Sequence, residues 1–173
     1  MGIDWKAYQT NGFFDELIDA KGNVRLHGNQ LAQFFSSLSN EELVKARAVA
    51  DLAIKEMGIS FTVYDEGNMI DRAWPFDIIP RTIGKKEWQG IEVGLKQRVE
   101  ALNLFIDDLY HDQKIIKDGI FPKGLLEKSV NFRKQCVGVN PPNKIWAHIC
   151  GSDLVRDGNG TMYVLEDNLR VPS

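Results

Sequence analysis

The chain has 173 residues, of which 43% are hydrophobic and 26% charged, the make-up of one soluble globular domain or of one domain with a small appendage. A formal net charge of −3 gives no electrostatic reason to expect nucleic acid or an anionic membrane as partner. No apolar run reaches the roughly 18 residues of a membrane span, and the amino terminus lacks the basic-then-apolar layout of a signal peptide.

Through about Gly28 the sequence is rich in Gly, Asn and Asp, and Trp5, Tyr8, Phe13 and Phe14 anchor an otherwise extended segment. Asn29 to Leu38 reads as a short helix. Ser39 and Glu42 form a capping box, in which the hydroxyl accepts from the Glu42 amide while the carboxylate reaches back. The helix it opens carries Leu43, Ala46, Ala50, Ala53, Ile54 and Met57 at helical spacing and stops at Gly58. These elements make up a first region, 1–58, of extended segment and two helices; 59–173 forms a second.

Ile59, Phe61 and Val63 alternate with polar residues, Asp65 to Asn68 supply a turn, and a second strand runs to about Trp74. Pro75 and Pro80 then break the pattern, leaving Arg81 on an ordered loop. From Lys85 to about His111 the residues Trp88, Ile91, Leu95, Val99, Leu102, Phe105 (or Ile106) and Leu109 form one apolar stripe. It lasts under four heptads, so a core-facing helix is expected rather than a coiled coil. Gly119 to Pro142 looks irregular apart from a helical turn near Leu125 and Leu126. Ile145 to Arg156 and Thr161 to Asn168 read as strands joined at Asp157-Gly158-Asn159-Gly160. Cys136 and Cys150 fit reduced cytosolic thiols, and His27, His111 and His148 lie too far apart in sequence to suggest a metal cluster, so each is assigned a structural role.

The last hairpin carries the chemistry. Strand alternation places Met162, Val164, Glu166 and Asn168 on one face, joined by Arg170 if the strand direction persists, with Tyr163, Leu165 and Asp167 on the other. A two-residue loop pairs Asp157 with Gly160 and a four-residue loop pairs Arg156 with Thr161. Either sets Asp153 opposite Val164 and diagonal to Glu166. A loop one residue longer would turn Asp153 to the far face. In the expected register two carboxylates and an amide oxygen surround one point, a donor set that suits Mg²⁺, and Arg170 could take phosphate oxygens.

The stretch DLVRDGNGTMYVLEDNLRVPS resembles the metal-binding half of ATP-grasp ligases. Together with FTVYDEGNMIDRAWPFDIIPRTI and LKQRVEALNLFIDDLYHDQKIIKDGIFP it is most similar to the circularly permuted ATP-grasp group, type 2, some of whose members are glutathionylspermidine-synthase-like. The resemblance implies an α+β, ATP-grasp-like partial domain with antiparallel β-hairpins and one long amphipathic helix. It implies Asp153, Glu166 and Asn168 as Mg²⁺ ligands, Arg170 as the catalytic group stabilising transferred phosphate, and ATP with a carboxylate and an amine as reactants through an acyl phosphate. Many ATP-grasp enzymes place an Arg two residues before the metal Asp. Here that position is Gly151, so Arg81 is the candidate for the acyl-phosphate or phosphate contact. The Lys-bearing strands that hold the nucleotide are expected after Ser173. The chain thus resembles an amino-terminal fragment, inactive alone, whose partner is the missing carboxy-terminal half. The alternatives are a non-catalytic binding or scaffold module that keeps the fold, and a homo-oligomer formed through the Trp88 helix. A cytoplasmic location is expected.

Overall fold

The computed structural model describes residues 2–65 and 68–172. They divide into two units: one takes the chain up to Lys85 together with the hairpin tip Gly158–Gly160, the other takes Lys86–Asp157 and the residues from Thr161 onward.

The first unit is organised around the apolar residues Leu17, Ile18 and Ala32, against which Trp5, Val24, Leu31 and Ile79 pack. Its amino-terminal segment is held by side-chain hydrogen bonds, some local and some reaching the first α-helix. The Asp15 carboxylate accepts from the amides of Leu17 (2.8 Å) and Ile18 (2.6 Å), and the Trp5 indole donates to the Ala32 carbonyl at 3.1 Å. Of the expected aromatic anchors, Trp5 packs on the core, whereas Phe13 is 75% exposed. Helix α1 spans Asn29–Ser37 and α2 spans Asn40–Glu56. The capping box is present: the Ser39 hydroxyl accepts from the Glu42 amide at 3.2 Å, and the Glu42 carboxylate takes the Ser39 amide at 2.7 Å. Helix α2 buries none of its residues; Leu43, Ala50, Ala53 and Ile54 are half-covered, while Ala46 and Met57 are exposed. Strands β1 (Ser60–Asp65) and β2 (Asn68–Ala73) pair antiparallel; their expected turn includes Glu66 and Gly67, which lie outside the described residues.

At the tip assigned to this unit, Gly160 has φ +90°, and a Cβ added there would come within 2.5 Å of the Phe14 ring. Gly160→Ala therefore meets both backbone strain and a clash. It should lower stability by more than about 1 kcal/mol, measured by thermal or urea unfolding.

The second unit is built on α3, Lys85–Tyr110. Along its stripe Leu109 is buried and Ile91, Leu95, Val99, Leu102, Phe105 and Ile106 are half-buried, but Trp88 is 46% exposed. Two short helices follow, α4 (Lys114–Lys117) and α5 (Lys123–Lys128). The first was not legible in the sequence; the Asp108 carboxylate nucleates it by accepting from the amides of Lys114 (2.9 Å) and Ile115 (3.0 Å). The second contains the expected turn at Leu125 and Leu126, and Leu126 is buried.

Tyr110 is stacked between Phe132 (4.9 Å between ring centres) and Trp146 (4.7 Å). The Trp146 indole donates to the Asp107 carboxylate at 3.1 Å, and the Asn103 side-chain oxygen accepts from the amides of Trp146 (2.8 Å) and Ala147 (3.0 Å). This corrects the expected strand from Ile145. Those amides, which a strand would use for pairing, are taken by a helix side chain, so β3 begins only at Gly151 and ends at Arg156. Strand β4 spans Met162–Asn168 and is antiparallel to β3. The molecule is therefore α+β, with two separate antiparallel hairpins and one long helix.

The indole hydrogen bond to Asp107 holds that carboxyl below its ordinary value; burial opposes this, and the charges of Lys144 and His111 reinforce it. A carboxyl with a depressed folded value stabilises the fold above the ordinary carboxylate range and loses that contribution as pH falls through the folded value. Asp107→Asn should thus lower the melting temperature at neutral pH. The difference from the parent should shrink on acidification below about pH 4, as thermal melts across pH will register.

Candidate metal and phosphate site

The hairpin that carries the candidate ligands departs from its expected register twice. The Asp157 amide donates to the Thr161 carbonyl at 3.0 Å, so the loop is the three residues Gly158, Asn159 and Gly160, neither two nor four. Glycine at positive φ in the third position suits such a loop. Alone, that extra residue would turn Asp153 away from Glu166. A β-bulge between the pairs Asp153–Glu166 and Leu154–Val164 then inserts Leu165 and reverses the displacement. Val164 thus opposes Leu154, not Asp153, and Glu166 stands directly opposite Asp153.

The expected grouping of Met162, Val164, Glu166 and Asn168 on one face is corrected for the same reason. Met162 and Val164 share the inner face with Leu154, Arg156, Ser152 and Asp167. Beyond the bulge, Glu166 and Asn168 share the outer face with Asp153 and Gly151. Met162 and Val164 on the inner face are half-covered, while Tyr163 and Leu165 are exposed and Glu166 and Asn168 lie on the outer face. Cα atoms of directly opposed residues lie about 4.5–5.5 Å apart, so the carboxylates of Asp153 and Glu166 can converge on one point.

On the outer face the Asn168 side-chain nitrogen donates to Glu166 at 3.0 Å, which leaves its amide oxygen available as a further hard donor. Among the described residues no hydrogen bond or ion pair engages the Asp153 carboxylate. Two exposed carboxylates set opposite one another repel; a divalent cation between them removes that cost. Two carboxylates and an amide oxygen are an all-oxygen donor set, which fits Mg²⁺. Among the described residues no group of three His, Cys, Asp or Glu side chains is arranged for a metal, so a third side-chain donor beside Asp153 and Glu166 would have to be an amide oxygen such as that of Asn168.

The inner face directly behind is tied to α3. Asp167, between Glu166 and Asn168, has a side chain only 7% exposed. It accepts from the Ser152 hydroxyl at 2.7 Å and from the Arg98 Nε at 2.6 Å. Burial pushes its carboxyl upward, but these two hydrogen bonds and the guanidinium charge prevail and hold it below the ordinary value. This trio has no motif of its own in the sequence. The signal was the string Glu166-Asp167-Asn168 itself: if its ends face outward, its middle must face inward and needs a donor.

Arg170 does not continue the outer face, because β4 ends at Asn168 and Leu169 and Arg170 form a bend; its side chain is exposed. Arg81 belongs to the other unit, where its guanidinium lies 3.4 Å from the Glu16 carboxylate. At Gly151, opposite Asn168, an added Cβ would come within 2.8 Å of the Pro172 ring, so an arginine there would displace the segment after β4.

Comparison with known proteins identifies the family. A family model for circularly permuted ATP-grasp, type 2, matches residues 80–173. An uncharacterised protein of Synechocystis sp. (strain PCC 6803) is 45% identical over 168 residues, covering 97% of this chain and 35% of that protein. An uncharacterised protein of Mycobacterium tuberculosis (strain H37Rv) is 39% identical over 163 residues, covering 92% of this chain and 28% of that protein. A Frankia casuarinae protein provisionally named glutamate–cysteine ligase 2-2 is 36% identical over 168 residues, covering 97% of this chain and 19% of that protein. The chain thus spans about a third or less of the length of these relatives. With more than half of its residues matched by the family model, including both strands of the carboxylate hairpin, this chain belongs to the circularly permuted ATP-grasp family, type 2.

Proposed function

We propose that these residues supply the Mg²⁺-binding strands of an ATP-dependent carboxylate–amine ligase that works through an acyl phosphate. The observation that carries the reading is the direct opposition of Asp153 and Glu166 on the exposed face of a hairpin, with Asn168 beside them. In this reading Asp153, Glu166 and Asn168 hold Mg²⁺ by their side-chain oxygens. When bound, the ion neutralises the nucleotide phosphates and the charge that develops during transfer.

Arg170, exposed just past the strand, is the proposed phosphate-stabilising group, since a guanidinium can donate two parallel hydrogen bonds to phosphate oxygens. Arg81 is the proposed contact to phosphate or acyl phosphate, in which role it would exchange its Glu16 partner for the anion. The carboxylate attacks the terminal phosphorus of ATP, ADP leaves, and the amine then displaces phosphate from the acyl group to form the amide. The name carried by the Frankia relative makes glutamate and cysteine the first pair to try.

The test is phosphate release from ATP by the complete gene product containing these residues, with and without a carboxylate and amine. Mg²⁺-dependent release that collapses on Glu166→Gln is expected. A product inert toward ATP under all conditions, yet folded, would instead favour a binding or scaffold module that keeps the fold without the chemistry.

A further inference from the structure

Two outward-facing carboxylates on adjacent strands form a usable site only if the strands cannot slide or twist against each other. Here the outer face has little to fix it: among the described residues its side-chain hydrogen bond is that from Asn168 to Glu166, within a single strand. The inner face is different. Ser152, next to Asp153, and Asp167, between Glu166 and Asn168, are directly opposed and joined at 2.7 Å across the two strands. Arg98, reaching from α3, closes on the other oxygen of the same carboxylate at 2.6 Å. One buried carboxylate therefore ties both candidate ligand strands to the long helix, one residue away from each of the three proposed donors. The bond also lies just beyond the bulge at Leu165, where the paired ladder is interrupted and the strands are most able to shift.

We infer that Arg98, Ser152 and Asp167 are positioning residues: behind the sheet they hold Asp153, Glu166 and Asn168 in the geometry that accepts a divalent cation. The inference rests on the metal-site reading above and extends it to residues that touch neither ion nor substrate. Groups that orient metal ligands from behind typically change affinity by roughly 10- to 100-fold when lost.

Arg98 makes the inference decisive because its charge and its geometry predict opposite outcomes. Removing a cation near two carboxylates should tighten cation binding if the guanidinium acts only through its field. It should weaken binding if the guanidinium holds the strands in place.

The experiment titrates the chain with Mn²⁺ as a paramagnetic stand-in for Mg²⁺, reading unbound ion by electron paramagnetic resonance, with circular dichroism melts to confirm folding. The parent chain should bind one Mn²⁺, and Asp153→Asn and Glu166→Gln should abolish it. Arg98→Gln and the charge-neutral Ser152→Ala should each weaken binding by roughly tenfold, and Arg98→Lys should recover part of the loss. Should Arg98→Gln fail to fold, Ser152→Ala decides alone. Binding that is unchanged or tighter in folded Arg98→Gln, or unchanged in Ser152→Ala, overturns the positioning role while leaving the metal site intact. No Mn²⁺ binding by the parent, or binding indifferent to Asp153 and Glu166, overturns the metal site and the inference together.

Discussion

Replacing Glu166 by glutamine should lower the rate of ATP-dependent phosphate release by the complete gene product by at least about 100-fold, the scale seen when one preorganised electrostatic contact to a transition state is removed. The substitution changes almost nothing but charge. Glutamine has the same length, and its side-chain oxygen can still accept from Asn168, which donates to Glu166 at 3.0 Å in the parent. Glu166 is exposed, so the fold should tolerate the change within about 0.5 kcal/mol. One of two opposed anions is lost, however, and with it half of the charge available to a divalent cation. Asp153→Asn should behave alike, and the double variant should lose little more than either single one, because the two carboxylates act as a unit. Relief of carboxylate repulsion even predicts a slightly higher melting temperature for each single variant without metal. Activity within a few-fold of the parent in both single variants would remove these side chains from the chemistry.

How much of this was legible beforehand differs from element to element. The capping box at Ser39 and Glu42 and the stripe from Ile91 to Leu109 are local signals, and local signals determined α2 and α3 to within a residue or two. That Asp153 and Glu166 share a face was reached through a wrong register. The loop has three residues where two or four were expected, an odd difference that shifts the register by one, and the bulge at Leu165 brings Asp153 and Glu166 back to one face. No periodicity in the sequence announces a bulge, since Val164-Leu165 reads as unbroken strand. Its trace is only the change from covered Val164 to exposed Leu165 and Glu166, which needs the structure to be seen. Long-range side-chain captures were equally hidden. Asn103 takes two amides more than forty residues away, and this, rather than any breaker residue, delays β3 to Gly151. The family resemblance drew on the ligand string itself, which does not depend on register.

Trp146→Ala should be the most destabilising single substitution in the second unit, costing about 3 kcal/mol or more in urea or thermal unfolding. Three separate losses combine. The indole stacks on Tyr110 with ring centres 4.7 Å apart, and Tyr110 in turn stacks on Phe132, so the middle ring of the pile loses one partner. Aromatic contact beyond simple burial is worth about 0.5–1.5 kcal/mol. The indole N–H also donates to Asp107 at 3.1 Å, and a carboxylate that is only 16% exposed would be left with fewer donors. Finally, the loop from Ile145 to Cys150 is held to α3 by Asn103 through the amides of residues 146 and 147, and that anchor weakens once the ring beside it is gone. Phenylalanine separates these contributions: Trp146→Phe keeps an aromatic face for Tyr110 and loses the indole donor. It should cost about 1–2 kcal/mol, with a smaller penalty at acid pH, where Asp107 is protonated and needs its donor less. If alanine and phenylalanine were equally costly, the hydrogen bond to Asp107 would carry the effect and the stack would be incidental. A cost below about 1 kcal/mol for alanine would mean that the aromatic pile does not hold this unit together.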